Sequence, residues 1–143
     1  MLIFPITAKT RPFSIEQLTQ LSDIIVVANV ESVSQDAKWK IAQLQVLENI
    51  KGKTNGNLLK VNFGGSKSEW VEDDPIYTIG EKDVVFLKNE SSCTYTTVGR
   101  FSGKLRVDDK GLAYYFTDQE MKSMPLSDII NIIRKYLKKS EGN

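Results

Sequence analysis

The chain has 143 residues, is 41% hydrophobic and carries 19 basic against 18 acidic side chains. This length and apolar content predict one globular domain with a single core. A net charge of +1 excludes a global field that would attract nucleic acid or an anionic membrane. The longest apolar runs are far shorter than the ~18 residues of a membrane-spanning helix, so no membrane span is expected.

Histidine and cysteine, which often serve as catalytic residues and metal ligands, are almost absent from the sequence. The sequence contains no histidine, and Cys93 is its only cysteine. An internal disulfide and a zinc site of the usual nitrogen and sulfur type are therefore excluded. Histidine is also the commonest general base, so serine or cysteine nucleophiles would lack their usual activation. We expect a protein without enzymatic activity and without a cofactor.

Residues 1–13 contain two prolines and show no periodicity. They predict an extended N-terminal arm, lying on the surface or against a partner, in front of one domain at residues 14–143. The first eight residues are too short for a secretory signal and lack its basic start. The chain is therefore either cytosolic or a mature segment from which a signal was removed.

A short helix is predicted from Ser14 to Leu21. Ser14 is its N-cap, and Gln17 three residues later completes a capping box. Ile15, Leu18 and Leu21 are expected to form its apolar face.

The most strand-like run extends from Ile24 to Val33. It begins with five consecutive apolar residues, four of them β-branched, and then alternates, which predicts burial on both faces at first and on one face later. The alternation over Lys38–Ile50 predicts a long antiparallel partner, joined to the first strand by the short polar connection Ser34–Ala37. Further strands are predicted at Leu58–Phe63, Asp83–Lys88, Thr94–Phe101, Lys104–Val107 and Leu112–Phe116.

Two features complete the predicted order of elements. Gly103 is interpreted as a bend or bulge in a long, coiled strand. The last element is an amphipathic helix from about Leu126 to Lys138, which begins after Pro125 and has one apolar stripe. Together the elements predict a mainly β fold: a small coiled antiparallel OB-like β-barrel with an N-terminal capping helix and a C-terminal amphipathic helix.

The order of segments resembles uncharacterised prokaryotic OB-like domains, often exported, whose pattern is similar to the netrin module and the tissue inhibitors of metalloproteinases. The resemblance implies an OB-like barrel and a location outside the cytoplasm. Those inhibitors chelate zinc through an N-terminal cysteine, whereas Cys93 is internal, so the activity does not carry over. The matching pieces are Leu21–Val30, Val46–Gly52, Phe63–Gly65, Gly80–Leu87 and Val98–Leu105.

The longest irregular stretch, Ser66–Gly80, is the predicted partner-binding loop. It combines aromatic side chains with acids, which is the usual make-up of the centre of an interface. For Trp70 itself, the favoured interpretation is that it folds back over one mouth of the barrel, and a role in binding is the alternative. The acids could also bind a hard cation, but their spacing is not that of an EF-hand loop, so a solvated acidic loop is favoured. The candidate binding residues are Trp70, Glu72, Asp73, Asp74 and Tyr77.

These observations favour a non-enzymatic binding module for a protein partner. The alternative is a single-stranded nucleic-acid-binding domain, which is motivated by the barrel type and by aromatic residues near basic ones. The number of aromatic residues is ordinary for a core of this size, and the basic residues are spread along the chain, so we favour core positions for the aromatics. The aromatics in question are Trp39, Phe63, Tyr95 and Phe101.

Overall fold

The protein is described here from a computed structural model that covers residues 12–35, 40–54, 56–63, 75–91, 94–118 and 120–141. These ranges contain eight strands, two α-helices and a 3₁₀ helix, Arg100–Gly103, between the fifth and sixth strands. The helices are α1 (Ile15–Leu21) and α2 (Leu126–Glu141). The strands are β1 (Ile24–Gln35), β2 (Lys40–Lys51), β3 (Leu58–Phe63), β4 (Lys82–Asn89), β5 (Thr94–Thr97), β6 (Lys104–Val107), β7 (Leu112–Phe116) and β8 (Met121–Pro125).

Five of the strands close into a barrel in the order β1-β2-β3-β5-β4 and back to β1. The predicted small OB-like barrel with an N-terminal and a C-terminal helix is therefore confirmed. Among the described strands, β3 and β5 form the one parallel pair, over three residues from Lys60 opposite Thr94. The other pairings are antiparallel, including the predicted β1–β2 hairpin, whose connecting residues 36–39 lie outside the described ranges.

Strand β1 is buried on both faces at its start, as its apolar run predicted. Every second residue of its first part faces the barrel interior: Ile24, Val26, Ala28 and Val30. Ile25 and Val27, which point the other way, face a second core. Strand β4 repeats this division, with Val85 inside the barrel and Phe86 in the second core. The two strands pair side by side, so the shared wall of both cores consists of β1 and β4.

The second core lies between this wall, the β6–β7 strands and the two helices. Ile129, Ile130 and Ile133 of α2 are buried in it, which confirms the predicted apolar stripe. The start of α2 is tied to the preceding hairpin, because the backbone N–H of Leu126 donates to the carbonyl of Gly111 at 2.9 Å. No helix in the described part of the chain is long and apolar enough to cross a membrane.

Helix α1 has the predicted capping box, and Ile15 and Leu18 lie on its apolar face as predicted, but Leu21 does not. The Ser14 hydroxyl accepts from the backbone N–H of Gln17 at 3.1 Å, and the Gln17 side chain accepts from the N–H of Ser14 at 2.9 Å. The assignment of Leu21 to the buried face was wrong, because Leu21 is 47% exposed. Thr19 is buried in its place, and its hydroxyl is satisfied within the helix by the carbonyl of Ile15.

The predicted strand Thr94–Phe101 was too long. β5 ends at Thr97, and the chain then turns through Gly99 at a φ of +69° into the 3₁₀ helix. Gly103 is the last residue of that helix, and a Cβ there would overlap the carbonyl oxygen of Val98. The bend or bulge predicted at Gly103 is thus the end of a 3₁₀ helix that interrupts the strand. Strands β5 and β6 pair in succession with the same edge of β4, with Thr97 opposite Leu87 and Lys104 opposite Val85. The 3₁₀ segment between them is therefore an insertion that interrupts this pairing.

The sequence did not predict β8, which pairs with β7 along its whole length. The turn between β6 and β7, by contrast, joins the two strands predicted at Lys104–Val107 and Leu112–Phe116. Asp108 fixes it, because its carboxylate accepts from the N–H groups of Lys110 and Leu112, each at 2.9 Å, and from the hydroxyl of Tyr114 at 2.8 Å.

The burial of α2 against the second core generates a stability prediction. We expect Ile133→Ala to lower the free energy of unfolding by about 2–5 kcal/mol, because Ile133 is fully buried. The matched control is Leu47→Ala on β2, where the side chain is 47% exposed and the loss should stay near 0.5 kcal/mol. Urea denaturation measures both, and equal losses would contradict the packing of α2 on the barrel.

Candidate functional site

The described structure contains two features that bear on function: a buried ionic cluster at one end of the barrel and an open groove beside α1 and α2. The ionic cluster consists of Glu81, Asp83 and Lys104. The Lys104 ammonium lies 3.0 Å from a carboxylate oxygen of Glu81 and 3.4 Å from Oδ1 of Asp83. All three side chains are largely removed from solvent.

Asp83 enters the barrel because of its position on β4. It has the same strand phase as Val85, which faces the interior, so the carboxylate is 1% exposed. Apart from the 3.4 Å ion pair with Lys104, neither carboxylate oxygen has a hydrogen-bond partner among the described residues. Burial and the nearby charge of Glu81 both raise the pKa of Asp83 and Lys104 lowers it, with a net pKa of about 7.

Tyr77 lies beside this cluster, inside the barrel. It is 3% exposed, its ring meets Phe63 edge to face at 5.2 Å, and its hydroxyl shares a 2.8 Å hydrogen bond with the Thr97 hydroxyl. The Lys104 ammonium lies 5.5 Å from the centre of the Tyr77 ring. Burial raises the pKa of Tyr77 well above its usual value. Tyr77 is thus a core residue, and its ring is not exposed to a partner.

The remaining residues of the predicted binding loop, Trp70, Glu72, Asp73 and Asp74, lie outside the described residues, and their role stays a prediction. Their described neighbours form part of a cavity of about 280 Å³ at the barrel mouth, between the β1–β2 hairpin and Tyr77. Ile76, which lines this cavity, is 65% exposed. The described residues contain no group of three or more acidic or cysteine side chains that could hold a metal ion.

The second feature is a cavity of about 590 Å³ between the start of α1, the β7–β8 hairpin and α2, here called the α1–α2 groove. Most of its lining is aromatic or aliphatic, and its charged lining residues are both acidic, Glu16 and Asp118. The apolar side chains that line it are Phe13, Ile15, Tyr115, Phe116, Met124, Ile132 and Tyr136.

Local hydrogen bonds hold the walls of the groove in place. The backbone N–H of Phe13 donates to the Ser102 hydroxyl at 3.1 Å, which positions the residue before the α1 capping box. Phe116 packs edge to face on Phe101, with ring centres 5.0 Å apart. In the β7–β8 turn, the N–H of Thr117 donates to the carbonyl of Glu120 at 2.8 Å, and this turn carries Asp118. The groove is therefore pre-formed.

A smaller cavity of about 390 Å³ continues the groove along α2. The two cavities share Met124 and Ile132 as lining residues, so they adjoin, and the pair is here called the trough. The charged residues of the smaller cavity are Asp128 and Lys135. The described lining residues of the trough therefore include three carboxylates and one ammonium group.

The sequence did not single out either feature. Asp83 could have indicated the ionic cluster. It lies near the start of an apolar strand, an even number of positions from the residues that face the barrel interior, which predicts a buried carboxylate. The groove has no comparable signal, because its walls come from three distant parts of the chain. Comparison with known proteins adds nothing to these assignments: no protein-family model and no curated protein matches the chain.

The raised pKa of Asp83 generates a pH prediction. The folded-state pKa of about 7 exceeds the unfolded value of about 3.9, so folding takes up a proton between these pH values. The contribution of protonated Asp83 to stability is complete below about pH 4 and is lost as the pH rises through 7. Asparagine cannot ionise. The free energy of unfolding of Asp83→Asn relative to the native chain should therefore rise by roughly 2–4 kcal/mol as the pH is raised from about 4 to about 8.

Denaturant titrations at several pH values measure this difference, with the exposed Asp109→Asn as the control. A stability difference between Asp83→Asn and the native chain that stays constant with pH would overturn the assignment.

Proposed function

We propose that this chain is a non-enzymatic binding module for a protein partner and that the partner binds in the α1–α2 groove. The observation that carries the proposal is the lining of the groove: aromatic and methionine side chains around an open cavity, with Glu16 and Asp118 beside them. Aromatic residues and methionine are enriched at the centres of protein interfaces. A pre-formed groove also lowers the entropic cost of binding.

Two arguments support a role without catalysis. The sequence has no histidine, and the carboxyl group with the most perturbed environment, Asp83, is 1% exposed and cannot meet a substrate. A buried ion pair with shifted pKa values is also a common structural feature, so the shift alone does not indicate an active site.

Binding of single-stranded nucleic acid, the alternative, receives less support. The charged side chains that line the groove would repel phosphates. Phe63 is buried in the barrel, and Phe101 is half-buried against Phe116, so neither offers a free stacking surface. The netrin-like relationship and the location outside the cytoplasm remain predictions from the resemblance.

A selection experiment tests the groove as the binding site. A displayed library of random peptides is selected on the native chain, and the enriched peptides are tested against Ile132→Arg, which places a charged side chain in the lining that the two cavities share. We expect at least tenfold weaker binding, about 1.4 kcal/mol, because arginine would displace the apolar contacts.

The control is Leu47→Arg, which makes the same chemical change at an exposed apolar residue on β2. It should leave the binding of the enriched peptides unchanged. The proposal fails if no peptide is enriched over the empty support, or if the enriched peptides bind Ile132→Arg as well as the native chain.

A further inference from the structure

The trough formed by the groove and the adjoining cavity has a charge pattern that restricts its ligand. In the groove itself the charged lining residues are Glu16, half-buried in the first turn of α1, and Asp118, exposed in the β7–β8 turn. They flank the aromatic lining from two different elements. A ligand that buries apolar side chains there brings its neighbouring residues close to two carboxylates.

The other end of the trough is electrically balanced, because Asp128 and Lys135 line the same small cavity. Lys122 lies on the exposed strand β8, opposite Tyr115, but it does not line either cavity. Among the described lining residues, the unbalanced charge is therefore negative and lies at the end formed by α1 and the turn.

The length of the trough sets the size of the ligand. Along α2 its lining residues extend from Asp128 to Tyr136, which is about 12 Å at 1.5 Å per residue. An extended polypeptide rises about 3.3 Å per residue, so about four of its residues would fill this length.

We infer that the trough binds a short, extended, apolar segment of a partner protein that carries a lysine or arginine, with the basic side chain held by Glu16 and Asp118. This inference rests on the proposed function and adds the chemistry of the partner to it. Apolar contacts supply the affinity, and the two carboxylates select the charge of the partner.

A pair of matched peptides tests the inference. The probes are the acetylated, amidated pentapeptides Leu-Lys-Leu-Lys-Leu and Leu-Glu-Leu-Glu-Leu, titrated at low salt into the ¹⁵N-labelled full chain. We expect the lysine peptide to shift the amide resonances of the groove residues, Met124 and Ile132 among them. We also expect it to bind about fivefold more tightly than the glutamate peptide, a preference that weakens with added salt.

The double variant Glu16→Gln/Asp118→Asn should bring the ratio of the two affinities close to one. Asp109→Asn, which also removes a negative charge but at an exposed position that lines neither cavity, should leave the ratio unchanged. The spectrum of each variant shows whether it is folded.

The outcomes separate this inference from the proposed function. If both peptides shift the groove resonances with equal affinity, the requirement for a basic side chain is wrong and the groove remains a binding site. If the shifts fall outside the groove, or neither peptide produces any, both proposals fail. If the groove resonances change when the protein alone is diluted, the occupant is a second copy of this chain and the inferred partner is wrong.

Discussion

The fold depends on the burial of β1 and β4 on both faces. Because successive side chains of a strand point to opposite sides, Val26 belongs to the barrel interior while Ile25 and Val27 belong to the core under the helices. The two cores are therefore not independent units, since the same backbone forms a wall of each. A side chain that distorts this wall disturbs both cores, and the groove beside α1 and α2 is only as rigid as the wall behind it.

The elements that the sequence predicted well are those with a strong local signal: the apolar run of β1, the alternation of β2, the capping box of α1 and the stripe of α2. The elements that it missed are set by tertiary contacts. β8 has a proline and no alternation, and it is a strand because β7 offers a pairing edge. Likewise, Thr94–Phe101 has the composition of a strand, but a 3₁₀ helix interrupts its pairing with β4 between Thr97 and Lys104.

The candidate sites were harder to predict than the fold, for related reasons. Phe13, Tyr115 and Tyr136 approach one another only when the second core forms, and no spacing in the chain indicates this. Tyr77 was expected in an exposed binding loop because acidic residues surround it in the sequence. Inside the barrel its hydroxyl forms a hydrogen bond with Thr97 and its ring packs on Phe63. These contacts offset the free-energy cost of burying the hydroxyl.

The closure of the barrel through β1 and β4 also has a consequence during synthesis. One edge of β1 can pair with β2 as soon as the hairpin has been made, but the other edge pairs with β4, which follows β3 and the long connection after it. Until then the apolar run Ile24–Ala28 presents unpaired backbone groups and no charge, which favours association with other strands. Asp23 and Glu31 border the run, at positions where charged residues oppose such association in a nascent chain. A ribosome that stalls between β3 and β4 would leave the most aggregation-prone strand of this protein half-paired.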